Sequence, residues 1–146
     1  MPGMTNSRTS RLFVLLFSGV LLAALLVPAG LAGSPKRRPS VEITGFRASG
    51  SRIVEPGGTI ERACEPKRLI AYVAFKNVRR GTPVKRRWRH SGDLVKATNV
   101  VWDHGRRRRV VRLTIFNPQA LPNGRYKIAV RAKGARWAVG TVKLAC

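Results

Sequence analysis

Acidic side chains are scarce in this chain: six Asp and Glu stand against 29 Lys and Arg. Glu42, Glu55, Glu61, Glu65, Asp93 and Asp103 fall at no spacing that sets two of them across a cleft, which argues against paired-carboxylate catalysis. Glu61 and Glu65 sit among Arg62, Lys67 and Arg68, where surface ion pairing is the expected role. Histidine is scarcer still. His90 and His104 fall at opposite ends of one expected strand, some 30 Å apart at roughly 3.3 Å per residue along it. They make poor joint ligands, and Ser91 beside His90 reads as a turn serine with no third group to orient the histidine. Two cysteines and two distant histidines do not make a zinc set. No glycine-rich phosphate loop occurs. These absences point away from an enzyme, a metal and a cofactor.

Long apolar runs are limited to one. Arg8 and Arg11 precede Leu12–Val27, Pro28 breaks the run, and small residues follow through Gly33. Basic start, apolar middle and small-residue exit are the order of a secretory signal, with Gly30-Leu31-Ala32 placing cleavage after Ala32. Uncleaved, Leu12–Ala32 is just long enough to span a bilayer, although Ser18, Gly19, Pro28 and Gly30 weaken it as an anchor. Leu31-Ala32-Gly33-Ser34 resembles a bacterial lipoprotein site, but Ser34 lacks the thiol that would carry the lipid. The expected organisation is a signal peptide at 1–32, a basic tether at 33–40 and one domain at 41–146, exported to the periplasm, cell surface or medium, or held by an uncleaved signal.

Beyond the signal, 27 basic and six acidic residues leave a charge of about +21. Such a domain attracts acidic surfaces over a Debye length. Arginine-rich composition with idle, solvated charge is the plain alternative. Cys64 and Cys146 both follow the signal, and an even count in an oxidising compartment favours one internal bridge, with an intermolecular one as the alternative.

No segment after residue 40 has the three-to-four spacing of an amphipathic helix; short alternation bounded by Gly, Pro, Asn and Asp recurs instead. Val41, Ile43 and Gly45 alternate in a first strand, then Leu69, Ala71, Val73 and Phe75 in a second. Val84, Arg86 and Trp88 share a face of a third, and Ser91-Gly92-Asp93 turns into a fourth at Leu94–Trp102. Asp103-His104-Gly105 leads to a fifth with Val111, Leu113 and Ile115, and Pro122-Asn123-Gly124 to a sixth with Tyr126, Ile128 and Val130. Lys133-Gly134 closes a hairpin into a seventh with Ala138, Gly140, Val142 and Leu144. About seven strands at these spacings make an all-β, two-sheet antiparallel sandwich.

Leu121-Pro122-Asn123-Gly124-Arg125-Tyr126, with the hairpin to Val139-Gly140-Thr141, resembles the immunoglobulin-like sandwich domains of exported bacterial proteins. The resemblance implies that Tyr126 fixes a corner at the start of the sixth strand and that Trp88 is the buried tryptophan of the third. Val73 and Ile128 stand near the positions of the antibody-type bridge, so Cys64 and Cys146 staple a different place. The resemblance carries architecture and leaves function open.

Strand phasing gives the charges a direction. With Val84 and Trp88 inward, Lys85, Arg87 and Arg89 point outward; with Tyr126, Ile128 and Val130 inward, so do Arg125, Lys127 and Arg131. The third, sixth and seventh strands of such a sandwich share a sheet, so these six cations, Lys143 and an exposed Trp137 would line one outer face. Arginine forks suit phosphate, sulfate or carboxylate, and the ring suits a sugar. Arg106, Arg107, Arg108 and Arg109 form a second basic patch, open to reading as a polyanion grip, a solvated loop or a protease site. Lys36-Arg37-Arg38 is placed to lie on an anionic membrane surface. The expected partners are acidic polymers (envelope glycan, anionic lipid headgroups, extracellular nucleic acid) or, alternatively, an acidic envelope protein met at a strand edge or at Arg106–Arg109. No motif for sequence-specific nucleic-acid reading accompanies the charge.

Overall fold

In a computed structural model, which describes residues 37–146, the chain forms eight strands: β1 Ser40–Ala48, β2 Thr59–Ile60, β3 Arg68–Lys76, β4 Pro83–His90, β5 Asp93–Val101, β6 Arg109–Phe116, β7 Gly124–Ala132 and β8 Ala138–Leu144. The segments expected to be a signal peptide and, as far as Lys36, a tether lie outside the described residues. The strands build a three-stranded sheet in the order β1-β3-β6 and a five-stranded sheet in the order β2-β8-β7-β4-β5. Every pairing is antiparallel except that of β2 with β8. With β4, β7 and β8 on one sheet and β1, β3 and β6 on the other, the arrangement is an immunoglobulin-like sandwich.

The alternating apolar residues meet between the sheets. Phe46, Leu69, Val73 and Phe75 pack from one side against Val84, Trp88, Tyr126, Ile128, Val130 and Val142 from the other. Gly140 has a steric reason: a Cβ there would stand 2.8 Å from Ile43 Cγ2 and 3.1 Å from Phe46 Cζ, so a bare backbone lets β1 close onto β8. The β4–β5 hairpin turns through Ser91 (φ 48°) and Gly92 (φ 100°), both left-handed, as a tight two-residue hairpin requires.

Four sequence expectations need correction. Gly45 does not share the face of Val41 and Ile43, because a bulge between Ile43 and Gly45 shifts the register and brings Phe46 inward opposite Ala71. The strand count is eight, since Thr59–Ile60 is too short to alternate visibly. The fourth expected strand ends at Val101; Trp102 leaves the sheet and lays its ring 4.5 Å from that of Phe75. Among the described residues, Glu61 and Glu65 join no ion pair, the one carboxylate contact of that kind being Asp103 with His104. Arg62 and Glu65 lie in left-handed turns beside the bridge, and solvated surface charges gain little by pairing.

Cys64 and Cys146 are bonded, with 4.6 Å between their Cα atoms and a separation of 82 positions in sequence. The bridge ties the segment after β2 to the end of β8, where Ala63 N also donates to Ala145 O at 3.0 Å. Trp88 is buried as the resemblance implied, 3% exposed. The Tyr126 hydroxyl donates to Pro122 O at 2.9 Å and closes the corner before β7.

That corner carries a prediction. Tyr126→Phe removes this part-buried hydrogen bond and should lower unfolding stability in urea by about 1 kcal/mol. Burial raises the Tyr126 phenol above its ordinary value of 10.0, so the folded state holds this proton to higher pH than the unfolded chain does. Its contribution is whole below pH 10 and is lost as pH rises through the folded value. The native chain should therefore lose more stability on alkaline titration than the Phe variant.

Candidate functional site

The outer face of β4, β7 and β8 follows from their register. Lys85 pairs with Arg131, Arg87 with Ala129, and Arg89 with Lys127. Ala129 pairs in turn with Val139, Lys127 with Thr141 and Arg125 with Lys143. Paired residues share a face, so the inward set Val84, Trp88, Tyr126, Ile128 and Val130 forces all seven cations outward. All seven are exposed. These three strands contain no acidic residue, so the cations, on strands about 4.8 Å apart, repel one another unscreened by a carboxylate.

The face is not uniform. Ala129 and Val139 are small, and leave a shallow depression ringed by Arg87, Arg89, Lys127 and Trp137. Trp137 is 37% exposed and does not fold away. The Arg87 and Arg131 guanidinium carbons stand 5.4 and 5.8 Å from its ring centroid. Each such contact is worth roughly 0.5–1 kcal/mol at an exposed site and holds the ring in place. Arg89 is braced too, donating from Nη1 to Gly92 O at 2.8 Å. Lys85 and Arg131 flank the depression on one side. Arg125 and Lys143 form a row beyond Lys127, toward the disulfide. Fixed arginine forks around an apolar floor and an aromatic wall favour an anion that also has an apolar face.

The second basic patch lies elsewhere, at the end of the sandwich where β1 begins. Arg106 to Arg109 are all exposed. Asn77 N donates to Arg106 O at 2.9 Å, which fastens the loop to the end of β3. Arg109 Nη1 donates to His104 Nδ1 at 3.2 Å, so Nδ1 is the bare nitrogen and Nε2, 3.2 Å from Asp103 Oδ1, carries the hydrogen. Trp102 Nε1 donates to Gly105 O at 3.3 Å. The loop is built and anchored, with its guanidinium groups in solvent.

Two features went unassigned in the sequence. Arg86 was legible as sharing the face of Val84 and Trp88, which turns a cation inward. Its Nε is enclosed without a hydrogen-bond partner among the described residues, and burial lowers its pKa, though arginine stays charged at neutral pH. β5 is the other. It is the free edge of the five-stranded sheet and is exposed along almost its whole length, with Leu94, Val95, Val100 and Val101 open to solvent. The face shared by Val84, Arg86 and Trp88 was the signal for the first; β5 carries four large apolar residues, and nothing in its pattern marked it as uncovered.

No protein-family profile matches this chain, and no curated protein sequence does. Among solved structures it is similar to the CARDB domain of a Pyrococcus furiosus protein, determined in complex with di-metal ions. The identity is 13%, over 74% of this chain and 94% of that one, with a TM-score of 0.40. The sandwich described above rests on its own strand order and register.

Proposed function

We propose that this is an exported, non-catalytic binding module whose general ligand is an acidic polymer, held on the outer face of β4, β7 and β8. The observation that carries the reading is the Trp137 ring clasped by Arg87 and Arg131 beside the Ala129–Val139 floor. Solvated charge alone has no need of an exposed tryptophan braced by two arginines. A polymer with anionic groups at the cations and a sugar or base against the ring would use every part of the face. Arg87, Arg89, Lys127 and Arg131 are the central cations, with Lys85, Arg125 and Lys143 extending the track.

The test is binding of the oxidised domain to a panel of acidic glycans, teichoic-type polymers and single-stranded nucleic acid across a salt series. Four engaged cations on a single-stranded polyanion predict an affinity loss of roughly fiftyfold between about 50 and about 200 mM salt. Affinity that is flat with salt sinks the reading. It would favour the runner-up, an envelope protein that adds an extended acidic segment to the open edge of β5 or meets the loop at Arg106–Arg109. The exposed length of β5 supports that alternative. Such a partner should be single, saturable and weakly salt-dependent.

A further inference from the structure

The charge of this domain is polarised along its strand axis. The turns and strand ends at one end of the sandwich are 37–39, 76–82, 102–109 and 133–137, and they hold eleven Lys and Arg, all exposed. Asp103 is the one acidic side chain among them. The opposite end, made of 49–68, 91–93 and 117–125, holds five Lys and Arg against Glu55, Glu61, Glu65 and Asp93. One end is thus close to ten charges positive and the other close to neutral, a gradient that uniform arginine-rich composition would not produce.

The positive end is assembled from segments distant in sequence. Asn77 joins two of them, its backbone N donating to Arg106 O at 2.9 Å and its Nδ2 to Arg38 O at 3.2 Å. Arg80 Nε donates to Asp103 O at 2.7 Å, Gly81 N to Trp102 O at 2.7 Å and Lys133 N to Pro83 O at 3.0 Å. Apart from the Arg80 Nε–H, the donors are backbone and amide groups, and all eleven cations remain exposed.

This is also the end through which the chain enters the domain. Residues 28–36 alone separate Arg37 from the apolar run Leu12–Val27, and nine residues reach at most about 30 Å. Whether that run is kept as an anchor or cut after Ala32 as a signal, the positive end is the part of the domain tethered nearest the bilayer while the two are joined.

We infer that this end is a lipid-facing surface, which docks on anionic headgroups through Arg37, Arg38, Arg79, Arg80 and the run Arg106–Arg109, and stands the strands upright with the Cys64–Cys146 end pointing away. Anionic lipid is favoured over a soluble polymer because the arginines are spread over four separate segments, beyond the recess lined by Arg38, Arg136 and Trp137, at the end that stands next in sequence to the apolar run. The inference does not depend on the sheet-face reading. Upright docking leaves the outer face of β4, β7 and β8 free at the side.

The experiment uses the oxidised domain, residues 33–146; the whole core and the disulfide lie within Arg37–Cys146, a compact unit by itself. Binding is measured to phosphatidylglycerol–phosphatidylcholine vesicles and to pure phosphatidylcholine vesicles, with near-UV circular dichroism confirming that each variant is folded. Arg79→Gln, Arg80→Gln, Arg107→Gln and Arg108→Gln together should weaken binding to the anionic vesicles about a thousandfold. The same number of neutralisations at Arg52, Arg62, Lys67 and Arg68 should cost less than about fivefold. Vesicles should slow amide exchange at 76–81 and 103–109 and leave 61–67 unchanged. Reversing Arg87, Arg89 and Lys127 should leave most vesicle affinity intact while removing polymer binding, so the two readings fail separately. Equal losses from the two quadruple variants, binding without phosphatidylglycerol, or capture of soluble acidic glycan but not vesicles through the end arginines would each overturn the inference.

Discussion

A domain carrying Arg87→Glu, Arg89→Glu and Lys127→Glu should bind its acidic polymers about a hundredfold more weakly than the native domain. The control, with Arg52, Arg62 and Lys67 reversed instead, should lose less than about tenfold. All three target cations ring one depression, so a bound anion meets them together. A charge-assisted contact on an exposed face is worth about 1 kcal/mol, and three lost together give roughly a hundredfold. The fold should survive. Arg87 forfeits its place over Trp137 and Arg89 its bond to Gly92 O, both at the surface. The same variant should show a shallower salt dependence, because fewer counterions are released on binding. Equal losses from target and control would reduce the positive charge to a diffuse cloud and bring the β5 edge forward. Titration followed by Trp137 fluorescence, in parallel with sedimentation, measures both quantities.

Replacing Cys64 and Cys146 together by serine should lower unfolding stability by about 4 kcal/mol, from the loop of 82 residues that the bridge closes. Domains of this size have about 5–15 kcal/mol in total, so the serine variant should lie near its folding threshold. The locus matters as well as the number. β2 is two residues long and pairs only with β8, and the bridge holds both sides of that pairing. Loss of the bridge should free 59–64 and the end of β8 before the rest of the sandwich opens. Urea unfolding of the two proteins, with amide exchange at Thr59–Ile60 and Lys143–Leu144, tests both claims. A variant of unchanged midpoint and unchanged exchange would show that β2 is held by its own hydrogen bonds.

The faces of β4 and β7 were legible because a period of two leaves a binary choice, and Val84, Trp88, Tyr126, Ile128 and Val130 make it. The cations of the candidate site were placed by the same choice, and the corner role of Tyr126 by the resemblance, from its position after Gly124 at the start of the strand. The face of β1 past Ile43 was not legible, since a bulge inserts one residue with no sequence mark of its own. Nor was the exposure of β5. Alternation identifies a strand but not the layer above it, and three strands cannot cover five. Arg86 sits under that uncovered margin, where a cation can be accommodated without a partner. The clustering of Arg37, Arg79, Arg80 and Arg106–Arg109 is a property of topology, visible only once four separate segments meet at one end.

The disulfide also sets how the domain bears force. A load applied between Arg37 and Cys146 crosses the sulfur bridge to Cys64, and everything from Glu65 to Ala145 is bypassed. Only the stretch from Arg37 to Cys64 can be drawn out, less than about 100 Å of contour. Before it yields, β1 must slide along β3, and pulling its Ser40 end against an anchor at the opposite end loads their perpendicular hydrogen bonds in shear, all at once. Pulled between Arg37 and Cys146, the domain is a stiff link that can lengthen by that one stretch and no more.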